Sequence, residues 1–119
     1  MFSKAVLDHF QNPRNAGELP GATSVVEVTN PVCGDILRLA VRVAGGRIIE
    51  ARFQTRGCVT SIACSSLLTE LLIGRSLVEA AAITPQLIDE RLGGLEPATH
   101  HAAELARDAV EALLARVHR

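Results

Sequence analysis

The chain has 119 residues, a length that fits one domain (1–119), and its 48% apolar content can build a core without disulfide or metal staples. Tryptophan and tyrosine are absent and the formal net charge is -1, which argues against base stacking on aromatic side chains and against a general drive towards nucleic acid or acidic lipid. No apolar run approaches a membrane span, residues 1–20 show no signal peptide, and three cysteines make an odd count, so reduced thiols in the cytoplasm are expected.

Ser3 to Phe10 reads as a short helix capped by Ser3, with Ala5, Val6, His9 and Phe10 on one side. Asn12-Pro13 and Gly17 end it. From Ala22 the pattern turns to strand: Val26 and Val28 alternate with Glu27 and Thr29, and Asn30-Pro31 stops the segment. Leu37, Leu39, Val41 and Val43 alternate with Arg38, Ala40 and Arg42 in a second strand. After a turn at Ala44-Gly45-Gly46, Ile49, Ala51, Phe53 and Thr55 alternate with Glu50, Arg52, Gln54 and Arg56. These segments predict a three-stranded antiparallel sheet with one face buried and an Arg-rich face in water, the latter a possible docking surface for an acidic partner.

Beyond Gly57 the period becomes helical. Thr60 or Ser61 is the expected cap of an apolar helix running to Ile73, with Gly74 as its stop. Ser76 and Thr84-Pro85 open two short helices that end at Gly93-Gly94. The last helix starts near Thr99 or His100, and its stripe is Leu105, Ala106, Ala109, Val110, Leu113, Leu114 and Val117. The fold class expected is α+β, with helices packed on one face of the sheet.

Metal-ligand residue types occur in three separate segments. Gly34 lets the Pro31-Val32-Cys33-Gly34-Asp35 turn bring the Cys33 thiol and the Asp35 carboxylate to one side, a mixed donor pair suited to iron or zinc. Cys58 precedes the buried helix, where free N–H groups and the macrodipole favour a thiolate. The structural alternatives are a turn cysteine beside a turn aspartate, and a small residue at a strand-to-helix corner. Cys64 lies among Leu68, Leu71 and Leu72 at helical spacing and is expected in the core. His100 and His101 stand at the start of the last helix; the stripe extended back from Leu105 reaches His101, so His101 should face the body and His100 lie to one side. The alternative is one capping and one solvated histidine. His9 and His118 read as structural or exposed, and Asp8, Glu70 and Asp108 as surface carboxylates or structural partners.

The chain resembles the U-type iron–sulfur cluster assembly scaffolds, IscU and the N-terminal domain of NifU, which share an IscU/SufE-like fold. The resemblance starts at Val6-Leu-Asp-His-Phe-Gln-Asn-Pro-Arg14-Asn15. It continues through Asn30-Pro-Val-Cys33-Gly-Asp35, Ile49-Glu-Ala-Arg-Phe53 and Gly57-Cys58-Val-Thr-Ser-Ile-Ala63, with Thr69-Glu70 downstream, to His100 and Glu104-Leu-Ala-Arg-Asp108-Ala109. In such scaffolds three cysteines, an Asp and a His hold a nascent, transient [2Fe–2S] cluster, or Zn2+ in its place. The resemblance implies Cys33, Asp35, Cys58 and His100 as ligands, with His101 where the family has a third cysteine. It also implies a non-enzymatic scaffold or carrier that takes sulfur from a cysteine desulfurase, on Cys58 or Cys33, and passes clusters to apo iron–sulfur acceptor proteins. The family's Leu-Pro-Pro-Val-Lys segment, read by a dedicated chaperone, is replaced here by Gly94-Leu-Glu-Pro-Ala-Thr99.

Two other functions compete. A zinc-bound divergent member could act in sulfur transfer or as a regulatory partner of the desulfurase, carrying no cluster. A Cys/His hydrolase or transferase would need a nucleophile motif or a Gly-rich loop, and the sequence has neither.

Overall fold

Alternating side chains build the sheet, and their inward members align across it. In the computed structural model, which describes residues 2–117, the strands are β1 (Ser24–Thr29), β2 (Ile36–Ala44) and β3 (Arg47–Arg56). They pair antiparallel in the order β1-β2-β3. Val26, Leu39 and Phe53 lie in register across the sheet, as do Ser24, Val41 and Ala51. These rows form the buried face; Arg38 and Gln54 pair on the other side, exposed. His118 lies outside the described residues.

One strand departs from strict alternation. Val43 pairs with Ile48 while Arg42 pairs with Glu50, so Ile49 is an extra residue in β3. This bulge turns Ile48 into the core and leaves Ile49 46% exposed, the reverse of the inward position expected for Ile49.

The helices are α1 (Lys4–Gln11), α2 (Val59–Leu72), α3 (Leu77–Ala80), α4 (Pro85–Arg91) and α5 (His100–Val117). Ser3, Ser76 and Thr84 cap α1, α3 and α4 through their hydroxyls, each accepting from a backbone N–H three residues on. The cap of α2 is Cys58, not Thr60 or Ser61: both hydroxyl residues lie inside the first turn and are buried. Eleven of the fourteen α2 residues are buried, which makes it the central helix, packed against β3, α1 and α5. α5 crosses β1 and β2 on the same face, burying Leu105, Ala106, Ala109, Val110 and Leu113.

α1 docks through a polar contact. His9 is buried, and its Nδ1 lies 2.8 Å from Ser66 Oγ; its Nε2 is 3.4 Å from Glu70 Oε1. Arg14 pairs with Asp8 at 2.6 Å and donates its amide to Ser66 Oγ. Phe10, expected beside Val6 and His9, is instead 38% exposed, because the buried side of this short helix narrows to Val6 and His9. The Arg-rich face is partly covered: Arg42 pairs with Glu50 and donates to the carbonyls of Pro20 and Gly21.

Candidate metal centre

Strand register brings the separated ligand types to one end of the sheet. Ile36 begins β2 and pairs both with Thr29, the end of β1, and with Arg56, the end of β3. Residues just before Ile36 and just after Arg56 must therefore meet at that end. Those residues are Cys33 and Asp35 on one side, Gly57 and Cys58 on the other.

The Cys33 turn is held by Asn30. This buried side chain accepts at Oδ1 from the amides of Val32 (2.8 Å) and Cys33 (3.3 Å). The Gly34 amide returns to the Asn30 carbonyl at 2.8 Å, and Gly34 adopts φ 76, a left-handed conformation that glycine takes without a Cβ penalty. Asn30 Nδ2 also donates to the His101 carbonyl at 3.4 Å, tying the turn to the start of α5.

Ligand atoms of Cys33, Asp35 and His101 all lie within 4.8 Å of one another. A tetrahedral ion with bonds of about 2.0–2.3 Å would space its ligands roughly 3.3–3.8 Å apart, so a modest contraction would bring these three onto one ion. Cys33 is exposed, and Asp35 and His101 are half-buried, so the group opens to solvent.

Cys58, also exposed, adjoins the group through Asp35. The Ser61 hydroxyl donates to Asp35 Oδ2 and lies 3.4 Å from Cys58 Sγ. Burial is the largest single influence on Asp35 and pushes its pKa up. Hydrogen bonds from the Ser61 hydroxyl, the Cys58 amide and the Cys33 thiol, with the charge of His101, outweigh it and hold the carboxyl below its ordinary value.

His100 is not brought into this group. Its Nε2 lies 3.1 Å from the Leu95 carbonyl oxygen and 3.9 Å from Asp89 Oδ1, in a depression between α4 and α5. The reason is helical phase: adjacent residues on a helix point about 100° apart, so only one of the pair can face Cys33. Cys64, on α2, is fully buried, and burial, with the nearby Cys58 and Asp89 charges, pushes its thiol up to about 12.

The family model for the NifU-like N terminal domain matches residues 1–118. The chain belongs to this family. It is 46% identical over 110 residues to the iron–sulfur cluster assembly scaffold protein IscU 1 of Archaeoglobus fulgidus, covering 92% of this chain and 72% of that protein. It is 45% identical over 118 residues to the scaffold IscU of Haemophilus influenzae, covering 96% and 93%. A crystal structure described as a putative iron–sulfur cluster assembly scaffold protein for the SUF system, from Fervidobacterium islandicum, superposes with a TM-score of 0.78 at 20% identity, covering 95% of this chain and 96% of that one. At that identity the likeness speaks for the fold.

Two residues of the site escaped sequence reasoning. Asn30 reads in the sequence as a strand stop and as the first residue of the matched Asn30–Asp35 segment, with no role at the site, although Asn before a turn commonly accepts from amides two and three residues on. Ser61 reads as a candidate helix cap within the matched Gly57–Ala63 segment, with no role at the site. Its contact with Asp35 spans 26 residues and leaves no local pattern.

Proposed function

We propose that this chain is a scaffold for iron–sulfur cluster assembly that holds its cargo at Cys33, Asp35, Cys58 and His101 and passes it to apo acceptor proteins. The observation that carries the site is the convergence of Cys33, Asp35 and His101, with Cys58 joined to Asp35 through Ser61. Two thiolates, one imidazole and one carboxylate supply four donors, the number a [2Fe–2S] core requires. This set is harder than three thiolates and binds less tightly to soft iron–sulfide, which suits a protein that must release its cargo.

We assign His101 as the ligand histidine of the family. The family's third cysteine follows that histidine directly, so its place is taken by Ala102, not by His101. Ala102 is buried and carries no donor. Cys33 and Cys58 are then the exposed thiols available to receive sulfur. In that step the Cys58 thiolate attacks the outer sulfur of a cysteine desulfurase persulfide. A new S–S bond forms at Cys58, the old one breaks, and the desulfurase cysteine leaves as thiolate. The protein acts as carrier and acceptor; catalysis lies with the desulfurase.

A cytoplasmic location accords with three unpaired cysteines and with the lack, among the described residues, of any helix long and apolar enough to cross a membrane. One observation favours the zinc-bound alternative, a sulfur-transfer or regulatory partner of the desulfurase: losing the third thiolate to Ala102 leaves a donor set that one tetrahedral Zn2+ satisfies. Anaerobic reconstitution with iron and sulfide separates the two. A scaffold develops the visible absorption of a [2Fe–2S] chromophore and passes it to an apo-ferredoxin. A colourless protein that retains one zinc per chain after the same treatment overturns the scaffold reading.

A further inference from the structure

Resting on that assignment of the metal centre, we propose that Ser61 is a positioning residue, its hydroxyl holding the Asp35 carboxylate and the Cys58 sulfur in a common geometry for the ion. Among the described residues the Ser61 hydroxyl hydrogen-bonds to no other candidate ligand. It sits in the first turn of α2, 1% exposed, in a helix whose cap residue Cys58 makes no side-chain capping bond.

The donor count fixes its role. A serine hydroxyl carries one hydrogen and two lone pairs. The Asp35 carboxylate can only accept, so that hydrogen goes to Oδ2. The Cys58 thiol, 3.4 Å away, then donates to Ser61 Oγ. Oδ2 is thereby occupied on the Ser61 side. Both contacts meet at the Ser61 Oγ. The positions of Asp35 and Cys58 are coupled through that atom.

Ser61 is itself held firmly. Its carbonyl accepts from Ser65 Oγ at 2.8 Å, and Ser65 Oγ lies 2.7 Å from Thr55 Oγ1 on β3. These contacts tie the Ser61 backbone to β3 through Ser65 and Thr55, and the Ser61 hydroxyl reaches from that anchored backbone to the Asp35 carboxylate. Hydrogen-bond partners behind a metal ligand typically change affinity by about 10–100-fold when removed.

The test uses Co2+ as probe on the reduced, anaerobic full chain. Affinity is read by competition with a chelator, and thiolate ligation by the sulfur-to-cobalt charge-transfer band. Alanine at a helical position supports the helix, so Ser61→Ala is expected to fold, checked by circular dichroism. The expected result is a roughly 10–100-fold weaker Co2+ affinity for Ser61→Ala, with Ser61→Thr regaining most of it. In an Asp35→Ala background, removing the Ser61 hydroxyl should cause little further loss, since the partner it positions is gone. Unchanged affinity in Ser61→Ala, or fully additive losses with Asp35→Ala, overturns the inference while leaving the metal centre intact. A wild-type chain with no charge-transfer band on Co2+ addition overturns the metal centre and this inference with it.

Discussion

The carboxylate of Asp35 rests on the backbone of Gly57: a Cβ at position 57 would stand 2.6 Å from Asp35 Cγ and 2.7 Å from Oδ2. No side chain fits there while the carboxylate keeps its place. Gly57 does not need glycine for its backbone angle, since its φ lies outside the left-handed region. Its role is to let the end of β3 approach Asp35 closely.

Gly57→Ala is therefore expected to displace Asp35 from Ser61 and to lower zinc retention by about 10-fold or more. Global stability should change by only about 1–2 kcal/mol, as the site lies at an exposed edge. Zinc competition and urea denaturation on the same preparation measure the two effects. Unchanged zinc affinity would remove Asp35 from the site.

The two adjacent histidines should behave differently. His101→Ala removes a donor from the group with Cys33 and Asp35 and is expected to cost at least about 10-fold in zinc affinity. His100→Ala should leave zinc binding unchanged, because its ring engages the Leu95 carbonyl and Asp89. Metal content after gel filtration against a chelator decides between them. The opposite ranking would restore His100 as the ligand.

Cys64 should be inert in the folded chain. With its thiol pushed up to about 12 by burial, almost no thiolate exists at neutral pH, and no reagent can reach it. Labelling with a disulfide reagent at pH 8 should titrate two thiols quickly, with the third reacting only on unfolding. Cys64→Ser buries a hydroxyl in an apolar place and should cost about 1–3 kcal/mol without changing metal content. Loss of metal in a folded Cys64→Ser protein would make Cys64 a ligand.

His9 gives the fold a pH dependence. Burial first, and then the Arg14 charge, lower its pKa; Glu70 and Asp8 partly oppose them. The unfolded chain thus binds this proton more readily than the folded one. The stabilisation is complete above the unfolded value of about 6.5 and declines as pH falls from there towards the lower folded value. Urea midpoints from pH 8 to pH 5 should fall more steeply for wild type than for His9→Gln. Parallel profiles would show that His9 does not contribute.

Most of the secondary structure was legible because its causes are local. Ser3, Ser76 and Thr84 cap helices through amides three residues away, and the alternation from Leu37 to Val41 marks a strand by itself. The bulge at Ile49 was not legible, since it is defined by how Val43 and Arg42 pair with another strand. Residue types alone singled out Cys33, Asp35, Cys58 and the His100-His101 pair, because few side chains bind soft metals.

What the sequence determined by itself was the order of elements, the candidate donors and the burial of Cys64. The tertiary structure alone decided which donors meet. It set the phase of α5 after the short 3-10 turn at Pro97–Thr99, turning His101 towards Cys33 and His100 towards Asp89. It also placed Ser61 against Asp35 and Asn30 against the His101 carbonyl. Helix phase, strand register and hydrogen bonds between distant segments depend on packing the whole chain at once, and no window of neighbouring residues contains them.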